Sequence, residues 1–318
     1  MRVLFCEGCG APLDAPWHDL VVVCAHCGSD NLPGQPDQVP QRVPADGRPR
    51  VNVGGRTYVL ESRLGQGESS IVYRARWVDR LGELVVLKVL QALDDADALR
   101  NEWTVLRELV ERDRPGSDHF ARRLPPPVAF GRIETDVPRT AAVYGWRSGF
   151  VHTLAEVGRV HPHGVPGEVA VWLLKRLLEL LVFVHEAGFV HGAITPEHIL
   201  VQPRDHGAML IGWSCATRLD GRARRLRRTV RAWAPLYDGA TRATAALDIA
   251  MACAVVRGAT AWSLPGAMAH NEVSRLLDKG TRRAFTEARP LLRALTEASR
   301  ETYGPPAHHP LEMPGWRR

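Results

Sequence analysis

VHGAITPEHILVQPRDHGAMLIGWS, residues 190–214, is the stretch on which the fold of this chain turns. It opens on an apolar strand end at Val190 and passes into a polar loop. A strand is expected over His198–Gln202, a turn over Pro203–Gly207 and a second strand over Ala208–Ile211. Just upstream, Glu168–Ala187 carries apolar residues nearly all round a helical period and is closed by Gly188, a residue that readily ends a helix. A long apolar helix, a loop and a short hairpin therefore follow one another at the centre of the chain.

The loop and hairpin resemble a known family. HGAITPEHIL is similar to the catalytic loop of protein kinases, and LIGWS to the strand that leads into their D-F-G motif. His191, Pro196, Ile199 and Leu200 match. The resemblance puts Ala193 at the catalytic Asp, Thr195 at the catalytic-loop Lys, His198 at the metal-binding Asn and Gly212 at the D-F-G Asp. Gly192 stands where many members carry Arg, and Trp213-Ser214 replaces Phe-Gly. The frame matches, while the positions that move a proton or grip a divalent ion do not.

Upstream motifs follow in the family's order. Arg56–Val89 reads as three strands, with LGQGESSIVYRA similar to the glycine-rich loop and VVLK to the strand that holds the phosphate-pairing Lys. The resemblance makes Gly65, Gly67, Lys88 and Glu102 the nucleotide-binding candidates. Glu102 is expected to pair with Lys88, ahead of Glu108. Only three of the 41 Lys and Arg residues are Lys, so a Lys at position 88 carries weight in a chain that otherwise uses Arg. Asp94–Arg112 reads as a helix with Leu99, Trp103, Leu106 and Val110 as its apolar stripe. Arg114–Pro127 reads as a Pro-rich loop, VAFGRI and TAAVYGW as strands, and Tyr144–Gly149 as a hinge. Thr153–Val157 is expected to be a short helix.

Beyond Ser214 a basic run carries Arg222, Arg224, Arg225, Arg227, Arg228 and Arg231, where the resemblance places an activation segment. It is either a solvated loop or a dock for an acidic or phosphorylated partner. Ala234-Pro235-Leu236 is similar to A-P-E without its Glu. Asp248, in LDIAMACAVV, is expected to cap its helix and hydrogen-bond the catalytic-loop backbone. Ser263–Tyr303 reads as further helices.

The first 31 residues stand apart. Cys6 and Cys9 are followed, after 14 intervening residues, by Cys24 and Cys27. Two Cys-x-x-Cys turns bring four thiolates to one tetrahedral point, and the pattern resembles a zinc ribbon. So short a segment cannot bury a core alone, so the metal would supply about 10 kcal/mol of its stability. The alternatives are two disulfides or a redox pair. Ser29–Arg50 holds five Pro and few apolar residues and reads as a semi-stiff linker. Cys215 and Cys253 read as buried thiols.

Composition sets the wider bounds. The chain has 318 residues, 45% hydrophobic and 24% charged, with net charge +6, all ordinary for a globular protein. No apolar run is long enough for a bilayer, so a cytoplasmic protein with no membrane contact is expected. The expected architecture is α+β: a zinc ribbon over 1–31, a linker over 32–50, and a bilobal kinase-like domain over 51–303 with lobes 51–145 and 146–303. An irregular tail follows over 304–318. The resemblance implies a pseudokinase with a regulatory or scaffolding role toward a protein partner. Structural zinc is expected, ATP binding stays open and magnesium is not expected. The rival readings are an atypical kinase or nucleotide transferase, and a nucleic-acid binder using the ribbon and the Arg run.

Overall fold

The computed structural model describes residues 4–5, 11–13, 22–27, 30–31, 49–80, 83–91, 95–111, 116–133, 138–224, 242–259 and 271–313. Two two-residue hairpins come first. β1 (Leu4–Phe5) pairs antiparallel with β2 (Pro12–Leu13), and β3 (Val22–Val23) with β4 (Asp30–Asn31). The first connection carries Cys6 and Cys9 in sequence, and the second carries Cys24 and Cys27.

The chain forms two compact units, one from Met1–Glu111 with Pro125–Gly149, the other from Arg112–Leu124 with Phe150–Arg318. The first unit is built on β5 (Arg50–Val53), β6 (Arg56–Gln66), β7 (Ser70–Trp77), β8 (Leu84–Leu90), α1 (Ala96–Glu111), β9 (Pro127–Ile133) and β10 (Arg139–Gly145). The six strands form one antiparallel sheet in the order β5-β6-β7-β8-β10-β9. β5 begins within the expected linker.

Strand alternation divides this sheet into two faces. Val85, Leu87 and Val89 of β8 join Val53, Tyr58, Ala75, Ala141 and Val143 in an apolar core. Lys88 points the other way, opposite Ala142 of β10. α1 packs on β9 and β10. Its buried residues are Leu99, Glu102, Val105, Leu106 and Leu109, whereas Trp103 and Val110 of the expected stripe are half-buried. The buried face is thus turned to include a carboxylate, because that carboxylate has a partner on the sheet.

The second unit holds α2 (Ser117–Ala121), β11 (His152–Thr153), α3 (Leu154–Val160), α4 (Gly167–Glu186), β12 (Phe189–Val190), β13 (Ile199–Gln202), β14 (Gly207–Leu210), β15 (Thr217–Arg218), α5 (Ala245–Gly258), α6 (Glu272–Thr281) and α7 (Ala288–Tyr303). α4 is buried on most of its surface, between α5 and α7 and under the hairpin β13–β14. Gly188 ends it at φ +82°, a left-handed conformation that costs glycine little. α3 starts in a capping box, Thr153 Oγ1 accepting from the Glu156 N–H and the Glu156 carboxylate from the Thr153 N–H.

Two stretches differ from the sequence reading. Within Arg114–Pro127, read as loop, α2 forms a short helix. Phe120 stacks on Phe183 of α4 at 4.9 Å, and Arg123 donates to Glu179 at 2.9 Å. These two anchors lie in the tertiary structure, where local propensity cannot register them. The tail has no regular structure over 304–313, yet Leu311 and Met313 are buried. Among the described residues no helix is long and apolar enough to cross a membrane.

Candidate functional site

In the strand-rich unit the side chains of Lys88, Glu102 and Tyr144 meet. Lys88 Nζ lies 2.7 Å from Glu102 Oε2, and the Tyr144 hydroxyl donates to Glu102 Oε1 at 3.0 Å. Glu102 is only 3% exposed. A buried carboxylate is tolerated where its oxygens are taken up by charged or polar donors, and here both are. Burial and the adjacent Glu102 push the Tyr144 phenol well above its usual value, so it remains a donor. Glu102, not Glu108, therefore partners Lys88. The sequence placed Tyr144 only in a hinge. Its signal is the strand alternation that puts residues 142 and 144 on the face opposite the core.

The glycine-rich turn lies between β6 and β7. The Gly67 N–H donates to the Ser70 carbonyl at 2.9 Å. Gln91, at the end of β8, holds the turn by donating from its side chain to the Gly67 carbonyl at 2.9 Å and accepting from Gln66 at 3.0 Å. Among the described residues nothing lies within 4 Å of where a Cβ on Gly65 would stand. Packing within this unit therefore does not demand glycine there.

In the helical unit the loop 191–198 is held by Asp248 of α5. Its carboxylate accepts from the His191 and Gly192 backbone N–H groups, each at 2.8 Å, and lies 3.1 Å from His185 Nε2. The expected backbone bonds form. The expected helix cap does not: Thr244 occupies the N-cap position, and the Asp248 oxygens are taken up by the loop and His185. His185 is a further member of this cluster that sequence reasoning missed.

His191 is fully buried. Its Nδ1 accepts from the Ala193 N–H at 3.2 Å, so Nε2 carries the proton and donates to the Ile211 carbonyl at 3.0 Å. A ring with both nitrogens committed to backbone is a pin between loop and hairpin, with no lone pair to take a substrate proton. Trp213 is also fully buried, edge-on to His191 at 4.5 Å, its indole N–H donating to the Leu210 carbonyl at 2.9 Å.

The three substituted positions lie together. Ala193 is buried, and its carbonyl lies 2.8 Å from His198 Nδ1, which must therefore be the protonated nitrogen. That bond orients the imidazole across Gly212. A Cβ on Gly212 would stand 2.5 Å from His198 Cδ2 and 2.6 Å from Nε2, and Gly212 has φ +75°. The ring fills the room an acidic side chain at 212 would need. With His198 in place, a side chain at 212 therefore has no room. Gly192 has φ +70°, and its Cβ would meet the Cys215 carbonyl at 3.1 Å, so the backbone favours glycine where many kinases carry Arg. Thr195 is buried as well.

Of the candidate zinc ligands, Cys24 and Cys27 are both buried, at the two ends of the turn that leaves β3. Two sulfurs converging from a tight turn suit half of a tetrahedral thiolate site. Cys6 and Cys9 lie outside the described residues. So do Arg225, Arg227, Arg228 and Arg231 of the basic run. Arg222 and Arg224 are exposed, and Arg222 forms a backbone bridge with Arg242. Cys215 and Cys253 are buried, and burial pushes the Cys253 thiol up to about 12.

Known proteins share this architecture. The chain superposes on the structure of vaccinia related kinase 3 with a TM-score of 0.59 at 17% identity, covering 81% of this chain and 92% of that one. The BubR1 kinase domain gives 0.57 at 14% identity, covering 81% and 85%. The kinase domain of a Toxoplasma gondii rhoptry antigen gives 0.54 at 17%, covering 80% and 86%. The fold is that of the protein kinases. In sequence, serine/threonine-protein kinase F of a Synechocystis strain is 27% identical over an alignment of 201 residues that covers 56% of this chain. That alignment covers 39% of the relative, so the kinase-like chain spans about two fifths of it. No family model matches the chain.

Proposed function

We propose that this kinase-like chain is a pseudokinase that binds and regulates a protein partner without transferring phosphate. The observation that carries the reading is the His198 imidazole over Gly212, beside a buried Ala193. Phosphoryl transfer depends on divalent-ion neutralisation of the triphosphate and on a carboxylate to take the hydroxyl proton. In support, the His198 ring leaves no room for a carboxylate at 212, and Ala193 offers no carboxylate at 193. Losing a general base alone costs about 10²–10⁴-fold in rate.

The retained Lys88–Glu102 pair favours some residual nucleotide affinity, with Gly65 and Gly67 on the phosphate side and no requirement for magnesium. Zinc, held by Cys6, Cys9, Cys24 and Cys27, would be structural, since four thiolates leave no open position. The basic run from Arg222 to Arg231 is the candidate dock for an acidic or phosphorylated segment of the partner.

Thermal shift with ATP, with and without magnesium, tests this reading alongside transfer from labelled ATP. The expected wild-type result is at most a small, magnesium-independent shift and no transfer. In the double variant His198→Asn with Gly212→Asp the ring is removed and a carboxylate restored, and a magnesium-dependent shift is expected. Metal-dependent transfer by the wild type, lost in Lys88→Ala, would sink the proposal in favour of an atypical kinase.

A further inference from the structure

The helical unit carries a pocket of about 280 Å³ that neither the loop 191–198 nor the glycine-rich turn touches. It lies between α4, α7 and the tail. Two kinds of surface line it. Trp172, Val171, Tyr303, Pro305 and Pro306 are apolar, whereas Lys175 and Arg300 are cationic.

The cations are not matched by carboxylates. Glu179 also lines the pocket, but its oxygens are occupied: Arg176 donates to both, at 3.0 and 2.9 Å, and Arg123 to one at 2.9 Å. Glu168 is the other acid on the wall, set against Lys175 and Arg300. Lys175 Nζ donates to Ser299 Oγ at 2.9 Å. The Ser299 hydroxyl proton is itself directed to the Thr296 carbonyl. An ammonium has three N–H donors, so one neutral acceptor leaves capacity for an anion. Burial, then Arg300 close by, lowers the Lys175 pKa against the opposing pull of Glu179.

Trp172 supplies a second, independent pointer. Its side chain is among the buried residues at 8% exposure, and its indole N–H has no acceptor among the described residues. A buried donor without a partner costs about 1–3 kcal/mol, a cost that a bound acceptor removes. The indole is also rigidly backed. It stacks on His206 at 4.6 Å and 3°, and His206 stacks on His308 at 4.4 Å and 2°. His206 and His308 in turn hydrogen-bond the carbonyls of His309 and Arg204, which straps the tail to the turn between β13 and β14. The wall is preformed, so a ligand need not pay for ordering it.

We propose that this pocket binds a small organic acid, its carboxylate on Lys175, Arg300 and the Trp172 indole N–H and its apolar body against Val171, Tyr303 and the two prolines. The volume sits at the lower edge of ligand-sized pockets, which suits a metabolite-sized molecule and not a peptide. The aromatic and proline walls favour an apolar body over a bare phosphate.

Isothermal titration of the full chain with benzoate tests this, with benzyl alcohol and inorganic phosphate as comparators. Saturable binding of benzoate at millimolar or lower concentration is expected, weakened about tenfold in Lys175→Met and several-fold in Arg300→Gln. Arg300 is exposed, so the second variant reports even where the first disturbs packing. Trp172→Phe, which keeps an aromatic wall and removes the N–H, should weaken binding by a smaller factor. The absence of saturable benzoate binding would overturn the proposal. So would equal affinity for benzyl alcohol, tighter binding of phosphate than of benzoate, or unchanged affinity in both cation variants.

Discussion

The two units keep their kinase-like shape by different means. In the strand-rich unit, Lys88, Glu102 and Tyr144 form a buried cluster, and Lys88 and Glu102 are the two that the kinase resemblance singled out. In the helical unit, Asp248 and His191 hold the loop through backbone groups, while the positions that would act on a substrate are Ala193, His198 and Gly212. The contrast shows which functional residues a fold can shed. A carboxylate whose only task is to meet a substrate or metal can be lost without leaving a buried group unpaired. A residue wired into the interior cannot. Glu102 without Lys88, or the 191–192 backbone without Asp248, would strand polar groups away from water.

The largest expected effect comes from removing the backbone anchor. Asp248→Ala leaves two buried N–H groups without acceptors and takes a partner from His185, and should cost about 4 kcal/mol. Denaturant unfolding measures it, and Asp248→Asn should cost less because one acceptor remains. A negligible loss in Asp248→Ala would break the claim that this loop is held from α5.

Next is the charged cluster. Lys88→Met should destabilise by about 3 kcal/mol, because Glu102 is left with Tyr144 alone in a dry site. Adding Glu102→Leu should recover most of that loss. Should Lys88→Met leave stability unchanged, the pair would be retained for a ligand and not for packing, and the comparison between units would need redrawing.

The smallest effect is the response to acid. Burial lowers the pKa of both His206 and His119, each in the helical unit. Their unfolded value is about 6.5, so between that value and the lower folded pKa the unfolded chain binds more protons. Stability therefore rises with pH through this window and is lost as pH falls below about 6.5 toward the lowered folded pKa values. In the strand-rich unit the resolved shifts are upward shifts of Tyr58 and Tyr144, which do not titrate in that range. Hydrogen exchange should show α4, α2 and the tail losing protection in mild acid before the six-stranded sheet does. Simultaneous loss in both units would blur the distinction.

Much of this was legible in one dimension. Helix and strand periodicity located α1, α4 and the hairpin β13–β14, because each buries a face wide enough to leave a pattern. The scarcity of Lys pointed to Lys88, and the kinase resemblance pointed to Glu102 as its partner. Less was legible where the determining contact is remote. α2 depends on Phe183 and Glu179, some sixty residues downstream. The packing of the tail depends on histidines at 161 and 206 donating to its carbonyls. Nothing local to either segment encodes these partners.

By itself, the sequence determined the order of elements, the absence of carboxylates at 193 and 212, and the four-cysteine pattern, since residue identity and spacing are one-dimensional facts. Tertiary structure alone decided that the His198 ring occupies the space a side chain at 212 would need. It also decided that His191 is a pin with no spare lone pair, and that Trp172 and Lys175 share a pocket with the tail. Which group fills which space, and which donor meets which acceptor, depends on residues brought together from distant parts of the chain, and only packing specifies those distances.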